Sequence, residues 1–93
     1  MGKNEDNQNE SLIEFPCEFP IKVMGLDSPD FHASVNEIAE KHDANFSRHE
    51  TKEKKSSSGK YTSLTLNIHA KDKPQLDNIY QDLTEHELVK WVL

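Results

Sequence analysis

The chain has 93 residues, 33% hydrophobic and 30% charged, with a formal net charge of -6. That length supports one hydrophobic core and excludes a second domain, while the composition is that of a soluble folded chain rather than a disordered one. The acidic balance, with Arg48 the only arginine, argues against nucleic acid as a partner, because affinity for phosphate backbones comes from Lys and Arg displacing counterions.

Residues 1–11 carry no large apolar side chain beyond Met1, so they are expected to form a flexible polar tail ahead of a single domain over 12–93. No apolar run approaches the roughly 18 residues of a membrane span, and the polar N-terminus has no signal-peptide core, so no membrane role is expected. Cys17 is the only cysteine; an internal disulfide is excluded, and a reducing, cytoplasmic compartment is expected.

The first ordered segment is expected over Leu12 to Met24, with Phe15-Pro16-Cys17-Glu18-Phe19-Pro20 as an extended lead-in, since residues before proline favour β or polyproline geometry. Phe19, Ile21 and Val23 then alternate with Pro20, Lys22 and Met24, the period of a half-buried strand that Gly25 is expected to end. Ser28, Pro29 and Asp30 form a helix start of cap, first-turn proline and dipole-matched acid. That helix is expected to reach about His42, burying Phe31, Val35, Ile38 and Ala39 on one face. Ala44 to Lys55 contains Phe46 and a run of Lys and Glu, and reads as an edge strand whose charge discourages pairing with other chains. Ser56 to Lys60 supplies a turn, with Gly59 available for positive φ.

Tyr61 to Ala70 has the clearest alternation: Leu64, Leu66 and Ile68 point one way, and Ser63, Thr65, Asn67 and His69 the other. A second helix follows, capped by Asp72, with Pro74 in its first turn and an apolar stripe of Leu76, Ile79, Tyr80 and Leu83, ending near Glu85. Leu88 to Leu93 alternates again and is expected to be the last strand. By parity Val89, Trp91 and Leu93 are expected in the core, leaving Leu88 and Val92 with Met24 as an apolar strip on the open face beside Lys22 and Lys90.

This order specifies an α+β fold, the ferredoxin-like split βαβ sandwich (βαββαβ), with a four-stranded antiparallel sheet of order 4-1-3-2 and both helices on one face. The expected core is Phe19, Ile21, Val23, Phe31, Val35, Ile38, Phe46, Leu64, Leu66, Ile68, Leu76, Ile79, Leu83, Val89, Trp91 and Leu93.

Four stretches also resemble a known family: Phe15-Pro16 followed by Phe19; Lys22-Val23-Met24-Gly25; Ser56-Ser57 with Gly59, Tyr61 and Ser63; and the ending Val89-Lys90-Trp91-Val92-Leu93. On these the chain resembles the YbeD-like small bacterial proteins of unassigned function over roughly residues 12–93. The resemblance implies an ACT-like regulatory fold, small-ligand sensing or partner regulation, and no established catalytic residues. A contextual link of that family to lipoate or glycine-cleavage metabolism is carried as an alternative.

The fold hosts many functions, so the site must discriminate between them. An RNA-recognition face needs exposed aromatics on the first and third strands, and only Tyr61, at a strand end, qualifies. A soft-metal chaperone needs a Cys-x-x-Cys pair, and Cys17 stands alone. An acylphosphatase-like cradle needs a cation after the first strand, where Gly25-Leu26-Asp27-Ser28 offers an acid instead. His49 and His69 are expected on neighbouring strands without a third ligand, so they read as surface histidines; no metal or cofactor is expected. No nucleophile is tied by spacing to a base and an orienting acid. Ser56 to Gly59 with nearby lysines reads as a solvated hairpin tip rather than an anion nest.

The sequence therefore points to a non-enzymatic regulatory or interaction module that binds a small metabolite or a protein partner through the open sheet face and the Gly25 loop. Lys22, Gly25, Asp27, Asn67, His69 and Lys90 are the candidate binding residues. A homodimer, and a small enzyme whose site forms only in an oligomer, remain alternatives.

Overall fold

A computed structural model describes residues 14–93; the expected tail over 1–11, and Leu12 at the start of the expected first segment, lie outside the described residues. The elements follow as β1 (Cys17–Leu26), α1 (Pro29–His42), a 3₁₀ turn (Arg48–Glu50), β2 (Lys52–Lys55), β3 (Tyr61–Ala70), α2 (Lys73–Glu85) and β4 (Val89–Val92). One antiparallel sheet has the order β2-β3-β1-β4, which is the expected 4-1-3-2 read from the other edge.

Both helices begin as their sequences dictate. The Ser28 hydroxyl accepts the Phe31 amide at 3.0 Å, and the Asp72 carboxylate accepts the Gln75 amide at 3.0 Å, each satisfying a donor that has no partner inside the helix. Ser28→Ala is expected to lower stability by about 1 kcal/mol, read as a shift in the urea midpoint at unchanged slope; an unchanged midpoint would show that the cap contributes nothing net.

The core lies between sheet and helices. Ile21, Val23, Leu64, Leu66, Ile68 and Ala70 from the sheet meet Phe31, Val35, Ala39, Leu76, Ile79 and Leu83 from the helices, all buried. Phe19, Ile38 and Phe46 pack at its margin. The β3 alternation is realised along the whole strand, with even-numbered residues from Thr62 to Ala70 inside and odd-numbered ones on the open face.

Three expectations are corrected. Gly25 does not end β1, which continues to Leu26 and pairs with β3 over ten residues, from Cys17↔Ala70 to Leu26↔Tyr61. Gly25 is there because a Cβ at this position would lie 2.4 Å from the Leu88 carbonyl oxygen and 2.6 Å from the Phe31 ring. Next, the edge strand is only Lys52–Lys55. The segment before it turns through Arg48–Glu50, where the Arg48 guanidinium donates to both Glu40 oxygens at 2.6 and 3.1 Å and the Thr51 hydroxyl donates to Asn36 at 3.0 Å. Those contacts tie the segment to α1, and its link to β3 is a side-chain hydrogen bond from Asn67 to Glu50 at 3.0 Å rather than strand pairing.

The third correction concerns β4. Val92 pairs with Val23, Trp91 with Met24 and Val89 with Gly25, so β4 takes two steps where β1 takes one, and Lys90 is the inserted residue of a bulge. The insertion breaks simple alternation: Val89 and Val92 both pack towards the core, with Leu88, whereas Trp91 and Leu93 are 57% and 73% exposed. Trp91 and Leu93 are therefore not core residues, and Leu88 and Val92 are not on the open face. Leu93 continues the pairing through two backbone hydrogen bonds with Lys22, at 2.8 and 3.2 Å.

Candidate functional site

The open face is built by cross-strand neighbours, which sit side by side on one surface of a sheet. Met24 of β1 lies between Ser63 and Trp91; Lys22 lies between Thr65 and Leu93; Leu26 is opposite Tyr61. The Tyr61 and Trp91 rings meet edge to face, centroids 6.4 Å apart. The three large hydrophobic residues that are exposed among the described residues, Leu26, Trp91 and Leu93, thus share one face around Met24. Lys22, Met24, Trp91 and Leu93 enclose a hollow of about 250 Å³.

The edge strand divides its charges by parity. Lys52 and Lys54 pair with Thr65 and Ser63 and so lie on the open face, whereas Glu53 and Lys55 pair with Leu64 and Thr62 and reach the helix side. Lys22, Lys52 and Lys54 are exposed and make no ion pair among the described residues. Lys60 lies over the Tyr61 ring, 5.6 Å from its centroid. The other end of the face is acidic, with Glu18 and Glu50 accepting from the Asn67 amide at 3.3 and 3.0 Å.

Of the six residues proposed from sequence, the structure brings Lys22 into the hollow and leaves Lys90 exposed on the bulge. Asn67 stands at the acidic end. His69 points to Asp43, whose buried carboxylate accepts the His69 backbone amide at 2.7 Å and contacts the ring Nδ1 at 3.1 Å. Gly25 is buried under Phe31 and Leu88, which fill the space a metabolite beside this residue would need. His49 sits in the 3₁₀ turn, apart from the Asp43 contact that holds His69. The serine turn uses its own polar groups: Gly59, at φ 77°, donates to the Ser56 carbonyl at 2.9 Å, and Ser56 Oγ accepts the Tyr61 amide at 3.1 Å.

Asp27 lies on the helix side in a cluster with His32 and Glu53. Its Oδ2 accepts from the Lys55 ammonium at 2.6 Å and its Oδ1 contacts His32 Nε2 at 2.9 Å, and ligand atoms of Asp27, His32 and Glu53 lie within 4.8 Å of one another. Lys55 Nζ, also 3.6 Å from Glu53, places a cation among these acids. The Lys55 hydrogen bond, followed by that of His32, holds the Asp27 carboxyl well below its ordinary value of 3.8. A folded-state pKa below the unfolded one contributes stability above the ordinary value, and the contribution is lost as pH falls through the lowered one. Asp27→Asn is therefore expected to melt below the wild type at about pH 7, with the gap narrowing as pH falls below about 4. Parallel melts across that range check this; a constant gap would deny Asp27 its titrating role.

Sequence reasoning missed Trp91, Leu93, Leu26, Lys52 and Lys54 as members of one face. The signal for Trp91 and Leu93 lay in the three-residue spacing of Val89 and Val92, the mark a bulge leaves between two inward β-branched residues.

An α+β sandwich with two helices on one side of a four-stranded antiparallel sheet and an exposed apolar and basic patch on the other defines a small ferredoxin-like domain. The chain belongs to the family described as "Protein of unknown function (DUF493)", whose model matches residues 10–93, and the YbeD-like resemblance seen in the sequence is thereby established. It is 47% identical over 85 residues to a UPF0250 protein of Paraburkholderia phymatum, covering 91% of this chain and 96% of that one. A UPF0250 protein of Neisseria gonorrhoeae is 46% identical over 89 residues, covering 96% and 98%. The solution structure of protein HP0495 from H. pylori superposes with a TM-score of 0.73 at 18% identity, over 87% of this chain and 85% of that chain; this likeness concerns the fold. No helix among the described residues is long and apolar enough to cross a membrane.

Proposed function

We propose that this domain is a non-enzymatic regulatory or interaction module that works by docking a protein partner on the open face of its sheet. The observation that carries this reading is the gathering of Leu26, Trp91 and Leu93, each at least 43% exposed, around Met24 on one surface. Single exposed apolar residues are ordinary, whereas a contiguous patch rimmed by polar groups marks an interaction surface. Exposed Trp is also a residue type that anchors interfaces. A protein partner fits better than a small metabolite, because the Gly25 loop is filled by Phe31 and Leu88 and the Asp27 carboxylate is engaged by Lys55 and His32.

Affinity capture from a bacterial lysate, quantified by mass spectrometry, tests the reading with three baits: the wild type, Trp91→Ser on the open face, and Asn78→Ala on the exposed side of α2. A protein held by the wild type and Asn78→Ala but lost from Trp91→Ser supports open-face docking. Enrichment indifferent to Trp91→Ser, or a metabolite that raises the melting temperature of both variants equally, overturns it.

A further inference from the structure

Resting on the open-face reading, and deepening it, we infer that the partner presents an acidic, extended segment carrying one large apolar side chain, which seats in the hollow between Lys22, Met24, Trp91 and Leu93. The chain as a whole is acidic, at -6, yet this part of its surface carries the opposite sign. Lys22 and Lys52 flank Thr65, and Lys54 and Met24 flank Ser63, which places three exposed ammonium groups on two successive open-face rungs of the ladder. None of them has an acidic partner among the described residues. Neighbouring strands are about 4.8 Å apart, so Lys22 and Lys52, on either side of β3, stand about 10 Å apart at their backbones. That spacing suits carboxylates on successive same-side residues of an extended chain, which repeat at about 7 Å and reach further with their side chains.

The hollow of about 250 Å³ is walled by Met24, Trp91, Leu93 and the Lys22 stem, apolar surface that matches a phenylalanine or leucine side chain. Together these features ask for an apolar anchor flanked by acids. A second copy of the chain fits less well, because apposing two such faces would bring six lysines of like sign together. A single-stranded nucleic acid fits less well too. The Tyr61 and Trp91 rings are inclined at 61° and present no parallel stacking platform, and Glu18 and Glu50 close the far end of the face.

Isothermal titration calorimetry decides the matter with a synthetic heptapeptide of Glu and Asp around one central Phe, compared with the same peptide carrying central Ser and with an oligothymidylate. The expected result is saturable binding of the Phe peptide, weaker in high salt, at least about tenfold weaker for the Ser peptide, and lost in a Lys22→Glu, Lys54→Glu double variant but kept in Lys71→Glu. Circular dichroism melts of the variants confirm that both remain folded. No saturable binding, equal affinity for the Ser peptide, equal loss in Lys71→Glu, tighter binding of the oligothymidylate, or a concentration-dependent dimer in sedimentation that Trp91→Ser abolishes would each overturn the inference. Failure here while Trp91→Ser still loses a cellular partner removes the acidic segment alone; failure of both removes open-face docking itself.

Discussion

Gly25→Ala is expected to destabilise the domain by about 3 kcal/mol, at the upper end of what an added methylene costs in a packed interior. The new Cβ would stand 2.4 Å from the Leu88 carbonyl oxygen and 2.6 and 2.8 Å from two Phe31 ring carbons. The ring can swing aside at some cost in packing. The carbonyl belongs to the chain entering β4, so relieving that contact means moving the strand away from β1. Urea denaturation followed by far-ultraviolet circular dichroism reads the loss. Adding Phe31→Leu should recover only part of it, because the backbone contact remains; a Gly25→Ala midpoint equal to the wild type would mean that β1, Leu88 and Phe31 do not meet as described.

Phe31→Ala is expected to cost about 3–5 kcal/mol, the usual range for emptying a buried phenylalanine site. Phe31 is fully buried, covers Gly25, and meets the His32 ring edge to face with centroids 5.9 Å apart. Domains of this kind are stable by about 5–15 kcal/mol in total, so much of the fold's margin rests on one ring. Chemical denaturation at low temperature, where the variant remains folded, measures the loss; a cost below about 1 kcal/mol would mean that the site collapses freely around the missing ring.

These two residues show what was legible in the sequence. Ser28-Pro29-Asp30 announced a helix start, and Phe31 stood first in its apolar stripe, so local chemistry and packing agreed. The same holds for Leu64, Leu66 and Ile68, whose strict alternation fixed the buried face of β3 and with it the position of both helices. Gly25 was read as the end of β1 and part of a binding loop; its close packing was not legible, because what approaches it comes from α1 and from the start of β4.

The face of β4 was not legible. A period of two assigns sides correctly only while both strands advance together, and the bulge at Lys90 makes β4 take an extra step against β1. The rule then moved Trp91 and Leu93 into the core and Val92 out of it, and the main element of the open face vanished from view. Asp43 was overlooked for a related reason. Its role is to accept the amides of Asn45 and His69 at 2.9 and 2.7 Å; the first is a local turn contact, but the second comes from a strand 26 residues further on. The lysines of β2 were read as a uniform charged rim, although parity sends Lys52 and Lys54 to one side and Lys55 to the other.

The exposure of Trp91, the single tryptophan of the chain, governs how this protein will look in a fluorimeter. Its indole already meets water in the native state, so the emission maximum starts near that of the denatured chain, and the intensity follows the short bulged edge instead of the interior. A titration watched by this light alone would record the loosening of the last strand and understate the cooperative melting of the rest.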